Sequence, residues 1–410
     1  MRIFGFNFFL KIFLLLLLFT QILSANGFSA GGIMSVYDDG PFNAVKNPAL
    51  LVRTDSSVGL FIYGSPYAKG KSTLLEINGN DDGNTKTDSR KFASSNLSFV
   101  KSLKKVSFGL SFALQNDDDN YYSRKSSGSY LGTDTFSTNE KRNAVGAFLS
   151  AAYKINSAYS IGLRMYTSYK KESNEEDEFN VIRIVKEKNT DSFAISPAFG
   201  FNMTSRRNLV EFGFLLSGGT FVKKKYDYNF TRSDGKKGND SYSSKFEMTQ
   251  SPSITIGILK RFKKISFSAE SVFYIPAKYD DKGFSVNDEG TSIVVTDKKC
   301  KNTFRIDQRL GCEYMISRST AVSCGIGYIQ MRQNNDLSKL TESGEDRVDV
   351  RIFLFSLGID KKLSPDTKII VASSNHLILN KLETKASGLS IKIDAYEFVP
   401  NIMFALVQKF

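Results

Sequence analysis

The chain has no tryptophan, one histidine, three cysteines and eight prolines in 410 residues. One histidine and three cysteines are too few for a His-ligated or Cys-rich metal centre. A lone histidine also supplies no nucleophile, base and orienting group, so no catalytic residue is assigned. Proline stands at about 2%, against a usual ~5%. No apolar run reaches the ~20 residues of a spanning helix, and the mean hydropathy of −0.23 excludes a bundle of such helices. What is abundant is 34 Phe, 18 Tyr and 30 Gly. A long chain that avoids proline and favours aromatic and small residues suits extended strands. One closed sheet absorbs this length without a second domain.

The net charge of +13 fits either nucleic acid or an anionic membrane surface. The first residues choose between them. Arg2 and Lys11 flank Phe-rich sequence, Ile12 to Phe19 is continuously apolar, and small residues follow at Ser24-Ala25. That is the build of a secretory signal peptide over residues 1–25. An exported chain does not meet the genome, so nucleic acid is not a partner. No cysteine stands near the cut, which leaves lipoprotein anchoring unsupported.

From about residue 56 the sequence alternates. Val106, Phe108, Leu110, Phe112 and Leu114 stand against Ser107, Gly109, Ser111 and Ala113; Tyr159, Ile161, Leu163 and Met165 against Ser160, Gly162 and Arg164. Residues two apart share one face of a strand. Phe304, Ile306, Leu310 and Cys312 likewise oppose Arg305, Asp307, Arg309 and Glu313. Parity alone does not separate a soluble sandwich from a membrane barrel with its aromatics in lipid. The connections do. Those after residues 103, 155, 203, 260, 316 and 361 are short. Those at 64–90, 116–142, 171–190, 223–244, 276–301, 333–345 and 380–394 are long and hydrophilic. Strict alternation of short and long connections, with an even strand count of about 14, is the pattern of an outer-membrane barrel. The expected fold is all-β: a 14-stranded antiparallel transmembrane β-barrel over 56–410, in the outer membrane of a diderm bacterium. Cys312 and Cys324 are equidistant from the turn centred on Arg318, which places them opposite each other as two free thiols.

Two further features resemble known ones. The last strand ends on Phe410, with Ile402, Phe404 and Leu406 on the same face, and this resembles the C-terminal signature read by the barrel-assembly machinery. Residues 26–55 do not alternate; they run from Gly31-Gly32 through Asp38-Asp39 to Asn47-Pro48-Ala49-Leu50. That segment resembles the start of the FadL/TodX-type family of outer-membrane transporters for long-chain fatty acids and other hydrophobic compounds. Those proteins open with small residues, an acidic residue and an Asn-Pro-Ala motif before the first strand, although Leu50 here replaces the usual glycine. The resemblance implies an N-terminal hatch inside the lumen, with Phe42, Asn47, Pro48, Ala49 and Leu50 along the ligand path. It implies passive passage of a fatty acid or similar molecule, no cofactor, and lateral exit at a kinked third strand, for which Gly109 is the candidate.

The residues themselves leave two other readings open. A diffusion porin for polar solutes is supported by the lumen charges Arg164, Glu211, Glu270, Arg305, Asp307, Arg309, Glu313 and Arg351. A surface adhesin is supported by the seven long connections. The expected partners are hydrophobic small molecules and outer-membrane lipids, and the expected state is a monomer. The acidic runs at Asp117 and Glu175 lack calcium-loop spacing. Protease applied to intact cells should cut only in the long connections, for example within 116–142 or 223–244; cleavage at Arg206-Arg207 in sealed cells would invert the topology.

Overall fold

The computed structural model describes residues 35–36, 38–77, 85–124, 135–179, 183–205, 209–276, 278–286, 293–336, 344–386 and 389–410. The signal peptide, the first part of 26–55 and Arg206-Arg207 lie outside the described residues. Eighteen strand segments follow two 3₁₀ turns. They are β1 (Ser57–Ile77), β2 (Thr85–Ser102), β3 (Val106–Arg124), β4 (Thr135–Lys154), β5 (Tyr159–Phe179), β6 (Arg183–Thr204), β7 (Val210–Ser217), β8 (Thr220–Arg232) and β9 (Lys237–Ser243). They continue with β10 (Glu247–Gln250), β11 (Ser253–Arg261), β12 (Ile265–Tyr274), β13 (Lys278–Val286), β14 (Ile293–Met315), β15 (Thr320–Asp336), β16 (Gly344–Lys362), β17 (Thr367–Ala386) and β18 (Leu389–Lys409).

These segments make fourteen staves. β7 and β8 both pair with β6, and β9, β10 and β11 pair in turn with β8 and β7. β12 and β13 both pair with β14. The interruptions fall where a ladder cannot be held: Gly218-Gly219, with Gly219 at φ 84, Ser251-Pro252, and Pro276. Proline donates no ladder hydrogen bond. Every pairing is antiparallel, and β1 pairs with β18 from Ser57 opposite Lys409 upward. The sheet closes on itself and leaves no edge. This is the 14-stranded antiparallel barrel expected from the sequence. No helix among the described residues is long and apolar enough to cross a membrane.

The side-chain distribution is inverted relative to a water-soluble sandwich. Leu149, Leu163 and Ile402 are 60%, 64% and 60% exposed, while Ser111, Ser150, Ser160, Asn202 and Asp307 are buried. Along β5 the outward apolar stripe runs from Tyr159 to Tyr169. At ~3.4 Å per residue and a ~40° tilt, that stripe is about 25 Å tall, matching the apolar band of a membrane barrel.

The strands do not stop at the top of this band. β5 continues ten residues further to Phe179, and the other staves behave alike. This corrects the expectation of seven long loops, because much of 64–90, 116–142, 171–190, 223–244, 276–301, 333–345 and 380–394 is strand. Above the band both faces meet water, so the apolar alternation that marks a half-buried strand disappears while the ladder persists. Cross-strand charge pairs replace it: Lys381 stands opposite Asp394, with Nζ 3.2 Å from the carboxylate. The short connections at the other end are as expected, from 103–105 to 363–366. Cys312 and Cys324 are directly opposite on β14 and β15 and both are free thiols.

Candidate functional site

Residues 35–54 lie against the inner face of the staves near the short-turn end. Local chemistry shapes this segment first. Gly40 takes φ 65, a conformation glycine adopts without steric cost. Its N–H donates to Asp38 Oδ1 at 3.0 Å. The chain then winds into a 3₁₀ turn at Gly40–Ala44, with Pro41 at its start. Asn47 is extended, as the residue before a proline must be, and its side chain caps a second turn, Pro48–Arg53, by accepting from Ala49 N–H at 3.1 Å. Asn43 Nδ2 donates to Asp38 at 2.7 Å and to Thr54 Oγ1 at 2.9 Å, tying the two turns together.

Apolar packing seats the segment. Phe42, 1% exposed, packs with Ile370 and Ala372 of β17 and Met403, Ala405 and Val407 of β18. Ala44 and Leu51 pack with Val100 of β2 and Ala152 of β4. The closest approaches fall on glycines. A Cβ at Gly59 would meet Pro41 and Phe42; at Gly109, Ala44; at Gly162, Pro48 and Ala49; at Gly200, Asn47; at Gly213 and Gly257, Ser35. Each of those six hypothetical contacts is 2.8 Å or shorter, which no real Cβ tolerates. Serines fill the next positions: Ser150 and Ser160 donate to the carbonyls of Ala44 and Ala49 at 2.7 and 2.9 Å.

Charged groups hold the segment from the sides. Arg53 pairs with Glu211 of β7 and also donates to Asn202 and Thr204 of β6. Glu211 takes Arg261 of β11 as well. Glu270 of β12 accepts from Ser35 N–H at 2.7 Å and Ser35 O–H at 2.5 Å. Arg164 of β5 donates to the carbonyls of Val45 and Lys46. Within the segment, Lys46 and Asp39 form a buried ion pair. Burial raises the Asp39 carboxyl and lowers the Lys46 ammonium from their ordinary values, and the attraction within the pair opposes both shifts.

The structure therefore places three of the sequence-assigned charges, Arg164, Glu211 and Glu270, directly on residues 35–54. Asp307 and Arg309 pair with each other at 2.5 Å, and Arg305 lies over the Tyr274 ring at 4.1 Å. Glu313 stands opposite buried Ser323 on the inward register. Arg351 is corrected: it shares the side of β16 that carries exposed Phe355 and Leu357, opposite to buried Leu354 and Ser356, and it pairs there with Asp349 at 3.3 Å. It faces out of the barrel. Phe42, Asn47, Pro48, Ala49 and Leu50 are all buried between the segment and the wall. Gly109 lies on β3, whose pairing with β2 and β4 runs without a register shift. Arg53, Asp39, Lys46 and Ser35 went unassigned from the sequence, although Asp38, Asp39, Lys46 and Arg53 are the four charges of the stretch 35–54. Above Phe42 an aromatic line climbs the wall, with ring centroids 5.8 Å to Phe61, 6.3 Å on to Tyr63 and 5.6 Å on to Phe92. Among the described residues no cluster of His, Cys, Asp and Glu is placed to hold a metal ion.

A closed fourteen-stranded barrel with an N-terminal segment seated on a glycine-lined inner wall defines the structural class. The chain has the fold of the FadL/TodX-type outer-membrane hydrocarbon channels. It is similar to a FadL homologue of Pseudomonas aeruginosa (TM-score 0.64, 11% identity, 95% of this chain and 98% of that one). It is similar also to the toluene transporter TodX of Pseudomonas putida (0.62, 12%, 94% and 98%) and the toluene transporter TbuX of Ralstonia pickettii (0.60, 15%, 94% and 97%). By sequence, no family model and no curated protein matches.

The seating is testable. Overpacking a filled site costs ~1–3 kcal/mol, so Gly162→Leu should raise opening of the segment about tenfold. The readout is trypsin cleavage after Lys46 and Arg53 in detergent-folded protein, with heat-modifiable gel mobility reporting the intact barrel. Cleavage at the parent rate would show that the wall does not hold the segment.

Proposed function

We propose that the protein is a passive outer-membrane channel for small hydrophobic molecules, in which residues 26–55 are a hatch within the lumen. The observation that carries this reading is the aromatic line on the inner wall above the buried Phe42, made by Phe61, Tyr63 and Phe92. An open lumen of fourteen staves would hold water and pass polar solutes, as a porin does. Here the segment fills the wall-side space near the short-turn end, and the aromatic line above it offers an apolar molecule a surface on which to leave water. Displacing it means breaking the Arg53–Glu211 and Ser35–Glu270 contacts and rotating Phe42 out of its cluster, while Asn47-Pro48 keeps the bend fixed.

The short turns face the periplasm in this reading, and Phe410 is presented to the barrel-assembly machinery. The barrel works as a monomer, without a cofactor. Long-chain fatty acids are the first cargo class, with Gly109 marking the side of the wall toward which they leave. Monoaromatic hydrocarbons are the second, supported by the ring-lined path and by the names of the TodX and TbuX structures.

Reconstituted protein should bind a long-chain fatty acid or toluene saturably and conduct small ions poorly. Deleting residues 28–50 should raise ion conductance several-fold and abolish selective uptake. Intact protein that conducts like an open pore and shows no saturable binding would replace this reading with the porin.

A further inference from the structure

The outer wall carries a feature that the hatch does not use. On one rung of the sheet Lys101, Phe108, Ala151 and Leu163 stand side by side across β2 to β5. Ala151 is small between large neighbours, and Leu149 and Phe410 rise on either side of the hollow. The result is an apolar groove of about 620 Å³ on the lipid-facing surface at the short-turn end. Its large side chains are exposed: Phe108 52%, Leu149 60%, Leu163 64% and Phe410 73%.

Immediately below the groove lysines predominate, and the nearby Asp55 is ion-paired with Lys409 at 2.5 Å. Lys101, Lys104, Lys105 and Lys154 are all exposed. The Lys154 N–H donates to the Lys105 carbonyl at 2.8 Å, which sets the β2–β3 turn beside the end of β4. Lys101 Nζ is 6.0 Å from the Phe410 ring centre. Between residues 92 and 116, and again between 143 and 171, the sequence contains no Asp or Glu. The acidic residues of β2, β3 and β4 (Asp88, Asp117 to Asp119 and Glu140) lie toward the other end of those strands. An apolar hollow above a cluster of ammonium groups matches one kind of membrane component, a lipid with hydrocarbon tail and anionic phosphate head.

We propose that this groove is a binding site for an anionic phospholipid of the periplasmic-facing leaflet. Its acyl chain lies against Phe108, Ala151 and Leu163, and its phosphate sits among Lys101, Lys104, Lys105 and Lys154. The inference rests on the membrane orientation given above; Gly109, which marks the exit side of the wall in that reading, also lines the groove, so lipid retention and uptake are measured separately. The site also gives the basic composition a use at the surface rather than in the lumen.

Native mass spectrometry of the full chain released from detergent, with added dioleoyl phosphatidylglycerol or dioleoyl phosphatidylcholine, tests it. Phosphatidylglycerol should be retained about tenfold better than phosphatidylcholine. Replacing all four lysines by glutamine should abolish that preference. The double variant Lys263→Gln, Lys264→Gln, at another short turn, should keep it. Ala151→Phe, which fills the hollow and leaves every charge in place, should lower retention of phosphatidylglycerol severalfold. Equal retention of the two lipids by the parent protein would overturn the site, as would equal loss in the Lys263, Lys264 control. A variant that retains lipid normally while losing fatty-acid uptake would bear on the transport reading alone.

Discussion

The structure depends first on the close approach of residues 35–54 to the inner wall. Six staves meet that segment at glycine, because a single added carbon would occupy the space of Ser35, Pro41, Ala44, Asn47 or Pro48. The small inner face of the lower barrel follows from this requirement. Ser150 supplies a hydroxyl to the carbonyl of Ala44, which ends the first 3₁₀ turn, and Ser160 supplies one to the carbonyl of Ala49 at the start of the second. Larger residues return higher up, at Tyr63, Phe148 and Tyr166.

Polar contacts then fix which way the segment sits. Burying an ion pair is costly unless its remaining lone pairs and protons are used. Glu211 meets that condition with two arginines, and Glu270 with the N–H and O–H of one serine. Such contacts add less to stability than to orientation. They set Arg53 against β6 and β7 while Phe42 packs on β17 and β18, and they make the segment's position a matter of a few breakable bonds superimposed on apolar packing. That combination is what a movable element needs, since an entirely apolar seat gives packing without a defined orientation.

Much of this was legible in the sequence. The barrel, its strand number and its short turns followed from parity and connection length, and the turn at Arg318 set Cys312 opposite Cys324. The loops were misread for a physical reason: hydrophobic periodicity reports contact with lipid, and a strand standing in water on both faces has none. The inner face was seen as small at Ser107, Gly109 and Ser111, but its cause was hidden, because a strand pattern does not record what packs on it from elsewhere in the chain. Arg351 was assigned to the lumen by likeness to other charged positions, whereas the side of β16 it occupies is fixed by Leu354 and Phe355. Arg53 and Lys46 were passed over since a leader with scattered charges resembles any soluble linker.

The central claim is that the seated segment must move for a hydrophobic molecule to pass. A direct test locks it in place. A Cβ at Gly109 lies 2.8 Å from Ala44 Cβ, so a shift of about 1 Å reaches the ~3.8 Å separation of a disulfide. The variant Ala44→Cys, Gly109→Cys, made with Cys300, Cys312 and Cys324 replaced by serine, joins the segment and the wall on oxidation. In proteoliposomes the oxidised form should lose fatty-acid and toluene uptake, and dithiothreitol should restore it. Equal uptake by the locked and reduced forms would contradict the account.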